Sequence, residues 1–115
     1  MNRLQQWWLS RKIKKIEKGA TQNKLSAIER IAEIGRKYEP LASQAIDANS
    51  AIGSNAVPSV NADIAIEHKN YAGRVIEANK GIGTDEAARA NARIALEYEE
   101  YAAQAIEANK AIGTK

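Results

Sequence analysis

The sequence predicts an all-α fold, a short α-solenoid built from stacked antiparallel helix pairs. The last segment, at residues 101–115, repeats the segments at 71–85 and 41–55, so the chain carries a thirty-residue period. Alanine is abundant, and it favours helix because it loses no side-chain entropy there. The apolar residues of each copy are spaced by three and four, which places them on one side of a helix.

The shared pattern also contains signals for where helices end and begin. Gly53, Gly83 and Gly113 each follow the last apolar residue of a copy, where a left-handed glycine commonly ends a helix. Ser54 and Thr84 come next and can accept hydrogen bonds from the free amides of a new helix. We therefore expect new helices to begin near residues 55 and 85. The recurring apolar positions are Ala45, Ile46, Ala48 and Ile52, then Val75, Ile76, Ala78 and Ile82, then Ala105, Ile106, Ala108 and Ile112.

Each thirty-residue copy has two possible helical interpretations. The polar stretches EHKNY at 67–71 and EYEEY at 97–101 favour a turn between two short helices. However, EYEEY has no Gly or Pro, and the apolar spacing from Ile94 to Ile112 continues through it in steps of four and three. The alternative fold is thus a bundle of longer helices with a thirty-residue repeat.

The first third of the chain is predicted to break the period. NKLSAIERIAEIG, at 23–35, matches the end of a copy, but Gly35 and Gly53 are only 18 residues apart, so one helix appears missing between them. RKYEP, ending at Pro40, is expected to be the loop at this junction. The predicted organisation is a basic, Trp-containing capping helix at 1–22 and a helical repeat domain at 23–115.

Composition excludes several kinds of function. The chain has no Cys and one His, His68, so thiol chemistry, disulfides and His clusters are absent. No apolar run approaches the roughly 20 residues that span a bilayer, and the N-terminus lacks the pattern of a signal peptide. We therefore expect a cytoplasmic protein without catalytic residues, metal or cofactor. Residues 1–40 carry ten Lys or Arg against four Glu, a charge of +6, whereas 41–115 carry seven against ten Asp or Glu, a charge of −3.

These residues resemble a known family, the short HEAT-like repeats of the phycobilisome lyase type. The stretches NAVPSV and SAIERIAEIG resemble its first and second helices, and WWLSRKIKKIEKG resembles the basic helix that precedes such arrays. The residues that fall in the slots of its second helix are Tyr71, Val75, Ile76, Ala78, Ile82 and Gly83, and Tyr101, Ala105, Ile106, Ala108, Ile112 and Gly113. The resemblance covers about residues 5 to 115 and implies stacked helix pairs. It also permits tetrapyrrole or phycobiliprotein handling, although no pigment-binding residue can be carried over.

The chain departs from the family where Leu-Gly is usual, because Asn49, Asn79 and Asn109 stand there, each followed by Ser or Lys. A column of Asn could form a polar stripe on a partner-binding face, or it could be solvated residues near helix ends. With Arg74 and Gln104 on the same helices, these Asn residues are the predicted partner-binding set.

Trp7 and Trp8, among basic residues, form a second candidate contact. They are expected to cover the open first repeat as part of a capping helix, the alternative being an interfacial anchor on an anionic membrane. Nucleic-acid binding is not expected, because no other motif for it accompanies the basic helix.

The predicted function is a non-enzymatic scaffold or adaptor that binds a protein partner or self-associates. Self-association is expected because the last copy is as apolar as the middle one, whereas repeat arrays normally close with a polar unit. A membrane-surface or assembly factor is the alternative.

Overall fold

A computed structural model describes residues 1–113, in which helices joined by short loops are the regular structure and no strand occurs. The predicted all-α class is therefore confirmed. Seven α-helices occur in this range: α1 at Arg3–Lys18, α2 at Lys24–Lys37, α3 at Ala42–Ile52, α4 at Val57–Glu67, α5 at Ala72–Ile82, α6 at Asp85–Glu97 and α7 at Ala102–Gly113.

The helices form three successive units of thirty residues, at 24–53, 54–83 and 84–113. In each unit the two α-helices are joined by a short 3-10 turn, at Glu39–Leu41, Lys69–Tyr71 or Glu99–Tyr101. The turns predicted at 67–71 and 97–101 are confirmed, and the alternative of one long helix per unit is wrong. The period is thus a property of structure as well as of sequence.

The expected break of the period before residue 41 is also wrong. Residues 24–37 form the first helix of a complete unit, equivalent to α4 and α6, and not the second helix that the sequence match indicated. No helix is missing, because the junction at Glu39–Leu41 corresponds to the later 3-10 turns. The sequence match predicts a helix end at Gly35, as at Gly53 and Gly83, but Gly35 lies within α2.

Gly35 lies inside α2, where the reason for glycine is close packing. A Cβ added there would lie 2.7 Å from the Cβ of Ala45 and 3.0 Å from Cδ1 of Ile64. Contacts this short force neighbours to shift, which costs free energy in a packed core. By contrast, Gly53 and Gly83 have φ of 70° and 74°, so the predicted left-handed stops are confirmed at these two positions. Gly113 is still helical.

The predicted helix starts are also observed, with one difference in detail. Thr84 caps α6, since its Oγ1 accepts a hydrogen bond from the amide of Ala87 at 3.1 Å. Ser54 accepts a bond from the amide of Ala56 at 3.0 Å, so it orders the approach to α4 and does not cap the helix itself.

Helices pack against the neighbouring units as well as within their own. The first helices contact in series, α2 with α4 and α4 with α6, and α1 packs on both α2 and α3. The result is a flat molecule of 42 × 30 × 15 Å. One core runs through all seven helices, from Ile13 of α1 to Ala108 of α7, and its members are mostly Ala and Ile.

Candidate functional site

Four Asn side chains are buried at the junctions between units. Asn49 of α3 donates from Nδ2 to Oδ1 of Asn61 of α4 at 3.2 Å, and Asn79 of α5 donates to Asn91 of α6 at 3.0 Å. All four are at most 1% exposed. The expectation of an exposed stripe through Asn49 and Asn79 is corrected, because both amides lie between units.

The buried amides determine how neighbouring units are aligned. An amide without a partner in an apolar interior costs about 1–3 kcal/mol, so each pair favours the register in which the two side chains meet. Asn61 and Asn91 also donate to the carbonyls of Ile46 and Ile76, both at 3.5 Å. The residue of the first unit that corresponds to Asn61 and Asn91 is Ile31, which packs in the apolar core.

Asn109 is the third Asn of the predicted column, and it is half-buried. Its Nδ2 donates to the carbonyl of Ala88 at 3.0 Å, and its Oδ1 accepts from Nδ2 of Asn91 at 3.2 Å. Asn109 therefore bonds within its own unit, whereas Asn49 and Asn79 each bond to the unit that follows.

Arg74 and Gln104, the other predicted contact residues on second helices, both reach back to the preceding second helix. The Arg74 guanidinium pairs with Asp47 and donates to Ser43 on α3. Gln104 donates from Nε2 to the carbonyl of Gly73 at 3.0 Å, and Gln44 makes a similar bond to the carbonyl of Ser10 at 3.0 Å. These side chains link second helices to one another and link α3 to α1.

The first helices and turns are linked across units in the same way. Arg93 of α6 pairs with Asp63 of α4. The hydroxyl of Tyr98 donates to the carbonyl of Ile66, and the ring Nε2 of His68 lies 2.7 Å from the carbonyl of Arg36. The two carbonyls are thirty residues apart, as are the two side chains, so consecutive junctions use the same contact.

An ion pair at the turns completes this set of contacts. The Lys69 ammonium pairs with Glu100 of the next turn and lies 5.6 Å from the ring centroid of Tyr98. The hydrogen bond that the Lys69 ammonium donates to the Glu100 carboxylate raises the pKa of Lys69 above its ordinary value. The position that corresponds to Lys69 in the last unit is Glu99, so the charge at this point is reversed.

The last unit exposes residues that the earlier units bury. Ile46 is 2% exposed and Ile76 is 0% exposed, but Ile106, the next in the series, is 55% exposed. We define the C-terminal face by the five residues that show this surface on α6 and α7: Ala92, Ala95, Leu96, Ala102 and Ile106. The counterparts of the three Ala residues one unit earlier, Ala62, Ala65 and Ala72, are all 0% exposed. The C-terminal face thus has the composition of a junction surface, and no helix within residues 1–113 covers it.

The surroundings of the C-terminal face are acidic. The stretch 96–107 contains four Glu and neither Lys nor Arg. Glu107 corresponds to Asp47, which pairs with Arg74 of the next unit, and Glu99 corresponds to Lys69. Of the nearby cations, Arg93 of α6 is already paired with Asp63, and Lys110 of α7 lies 3.5 Å from Glu107. A surface that covers this face should therefore present positive charge.

Trp7 and Trp8 do not form the predicted cap over the first repeat, since each is 57% exposed. The cap is made by Ile13 and Ile16 of α1, which are buried. The guanidinium of Arg11 lies 5.1 Å from the Trp7 ring centroid, and the Lys12 ammonium lies 5.3 Å from that of Trp8. Such cation–π contacts hold the rings on the surface beside the basic side chains.

The solvent side of α1 carries an apolar and basic stripe. Leu4, Trp8, Arg11 and Lys15 are spaced by four, three and four, so they lie on the side of the helix opposite Ile13. We define the N-terminal face by these four residues. Beside it, a recess of about 420 Å³ is lined by Met1, Leu4, Gln5, Trp7, Trp8, Leu9 and Tyr38.

Residues 1–113 lack two features, a metal-binding group and a membrane-spanning helix. This part of the chain has no group of three or more His, Cys, Asp or Glu arranged to hold a metal ion. None of its helices combines the length and the apolar character needed to cross a membrane.

Comparison with known proteins gives no relative: no family model, no curated protein and no solved structure matches this chain.

Sequence reasoning found Ile106 but missed the part of the C-terminal face that lies on α6. The signal was available in the thirty-residue period, because Ala92 and Ala95 repeat Ala62 and Ala65. The prediction rested on the second helices, which match one another more closely in sequence than the first helices do. The exposure of these side chains distinguishes the last unit from the middle one, although their sequences are similar.

Proposed function

We propose that this protein is a non-enzymatic interaction scaffold, built as a short solenoid of HEAT-like helix pairs, that self-associates through the C-terminal face. The resemblance of the repeats to HEAT-like units of the phycobilisome lyase type supports the solenoid. So do the serial contacts of α2, α4 and α6 and the polar bonds that recur at each junction.

The observation that carries the proposal is the change in exposure along one column of isoleucines, from 2% at Ile46 and 0% at Ile76 to 55% at Ile106. Burying an Ile side chain is worth about 1.5–3 kcal/mol, so a covered C-terminal face is more stable than an exposed one. Helix α5, which carries Ile76, packs against both α6 and α7, so a helix pair is the expected shape of what would cover Ile106.

The test is light scattering coupled to size-exclusion chromatography over a concentration series. The mass of the wild-type chain should rise with concentration above 12.6 kDa, the mass of one chain. The double variant Leu96→Gln, Ile106→Gln should remain at one chain, because it removes the two large apolar side chains of the face.

Leu25→Gln is the matched control, since Leu25 is 52% exposed on α2, in the first unit. It should associate as the wild type does. A wild-type mass of one chain at every concentration, or equal loss of association in the Leu25 variant, would overturn the proposal.

A further inference from the structure

We propose that the C-terminal face of one molecule is covered by the N-terminal face of a second copy of this chain, in a head-to-tail contact. This inference rests on the proposed function and adds the identity and orientation of the partner surface. It assigns a role to the exposed Trp8 and Leu4, which neither the core nor the repeat contacts use.

Charge selects the N-terminal face as the occupant. Helix α1 carries six Lys or Arg and one acidic residue, Glu17, whereas the stretch 96–107 carries four Glu and no base. Within the molecule, Asp47, the first-unit counterpart of Glu107, forms an ion pair with Arg74 of the next unit. Arg11 and Lys15 of a second copy would offer the same complement to Glu99 and to Glu107, whose exposed pairing with Lys110 at 3.5 Å lies within one helix.

The apolar parts of the two faces also match in kind. The C-terminal face presents Leu96 and Ile106, which are 89% and 55% exposed, above a floor of small Ala side chains. The N-terminal face presents Leu4, which is 73% exposed, and Trp8 beside an apolar recess. Helices approach closely where one surface is lined with Ala. Helix α1 of the second copy can therefore lie on the Ala floor of the first, while Leu96 and Ile106 of the first copy enter the recess beside α1.

A symmetric contact between two C-terminal faces is disfavoured by the same charges. It would bring two copies of the acidic stretch 96–107 together, and like charges at an interface oppose association. A head-to-tail contact uses different surfaces on each copy, so it leaves one free face of each kind and generates an open chain unless the rotation closes a ring. The wild type should therefore form a series of sizes and not a single dimer.

Mixing two variants distinguishes these arrangements. The N-face variant is Leu4→Gln, Trp8→Gln, and the C-face variant is Leu96→Gln, Ile106→Gln; all four positions are more than half exposed, and no charge is introduced. Each variant alone lacks one of the two surfaces and should behave as a monomer. The mixture retains one intact surface of each kind and should form a species of two chains that grows no further.

The outcomes are separable by light scattering and by circular dichroism, which checks that each variant is folded. A two-chain species seen only in the mixture supports the head-to-tail contact. If the wild type associates but the mixture stays monomeric, or if the N-face variant associates like the wild type, this inference is wrong while the proposed function stands. If the wild type does not associate, both fail.

Charge reversal provides a second, independent test. Arg11→Glu with Lys15→Glu should weaken association at low salt by about tenfold in Kd, because two attractive contacts become repulsive. Glu99→Lys with Glu107→Lys in the same chain should restore it. Failure of the restored variant to regain association would contradict the assigned pairing of faces.

A lipid surface is the competing occupant of the N-terminal face, because Trp and Lys side chains also suit an anionic bilayer. Sedimentation with vesicles of phosphatidylserine and phosphatidylcholine addresses it. No pelleting of the C-face variant is the expected result. Its pelleting as a monomer, abolished by the N-face substitutions and with no two-chain species in the mixture, would overturn the inference in favour of lipid.

Discussion

The middle and last units have closely similar sequences but different surroundings. Their second helices read AGRVIEANKGI and AAQAIEANKAI, and both units carry buried Asn and the same short turn between their helices. Yet Ile76 is inaccessible while Ile106 is more than half exposed. The comparison teaches that a repeat sequence encodes two surfaces, and that burial of the second surface depends on whether another unit is present.

Substitution of Ile76 and of Ile106 should give the largest difference between the two units in the free energy of unfolding. Ile76→Ala should lower the free energy of unfolding by about 2–5 kcal/mol, because it removes a fully buried side chain and leaves a cavity. Ile106→Ala should change it by less than about 1 kcal/mol when measured on the dilute monomer. Urea denaturation followed by circular dichroism measures both; equal losses would mean that Ile106 is covered within one chain.

Substitution of Asn79 and of Asn109 should give a smaller difference in the free energy of unfolding, again with the larger loss in the middle unit. Asn79→Ala leaves Oδ1 of Asn91 without its donor in a buried place, so we expect a loss of about 1–3 kcal/mol. Asn109→Ala should cost less than about 1 kcal/mol, since Asn109 is half-buried and Asn91 retains its bond to the carbonyl of Ile76. The urea midpoints of the two variants test this order, and a larger loss for Asn109 would contradict it.

The smallest effect concerns charge at the turns, where the middle unit has Lys69 and the last has Glu99. Because Glu100 raises the pKa of Lys69 in the folded state, the pair stabilises the fold below the unfolded-state pKa, and this contribution is lost as pH rises through the folded-state pKa. The unfolded-state pKa of Lys is about 10.4. Lys69→Met should thus lower the urea midpoint slightly near neutral pH and have no effect well above the folded-state pKa of Lys69.

Glu100→Gln is the control for the charge prediction. It should produce the same small change in the urea midpoint near neutral pH, and the double variant should add nothing to either single one. A Lys69→Met effect that persists unchanged at high pH would show that packing on Tyr98, and not the ion pair, is responsible.

Local features were predictable where a residue acts through its own backbone or its immediate neighbours. The stops at Gly53 and Gly83, the cap at Thr84 and the turns after Glu67 and Glu97 all follow from local conformational preference. Gly35 shows where such reasoning fails. Its glycine is required by Ala45 and Ile64, which are distant in sequence, so a stop signal and a packing requirement look the same in the chain.

The candidate surface could be predicted only in part. The period identified the last unit as apolar, and Ile106 was among its members, but Asn49 and Asn79 were expected on the surface and lie inside. Asparagine is polar, so the sequence favoured exposure; a partner amide twelve residues away makes burial acceptable. Likewise Trp7 and Trp8 were expected to cover the first unit, but Ile13 and Ile16 do so from the other side of α1.

By itself the sequence determined the helical class, the thirty-residue period and the separation of basic and acidic ends, because these depend on composition and spacing along one chain. Tertiary structure alone decided which face of each helix is covered, that residues 24–53 form a complete unit and that the Asn residues pair across junctions. The physical reason is that the solvent exposure of a side chain depends on contacts with segments distant in sequence. Identical residues such as Ile76 and Ile106 therefore differ in burial, because different segments surround them.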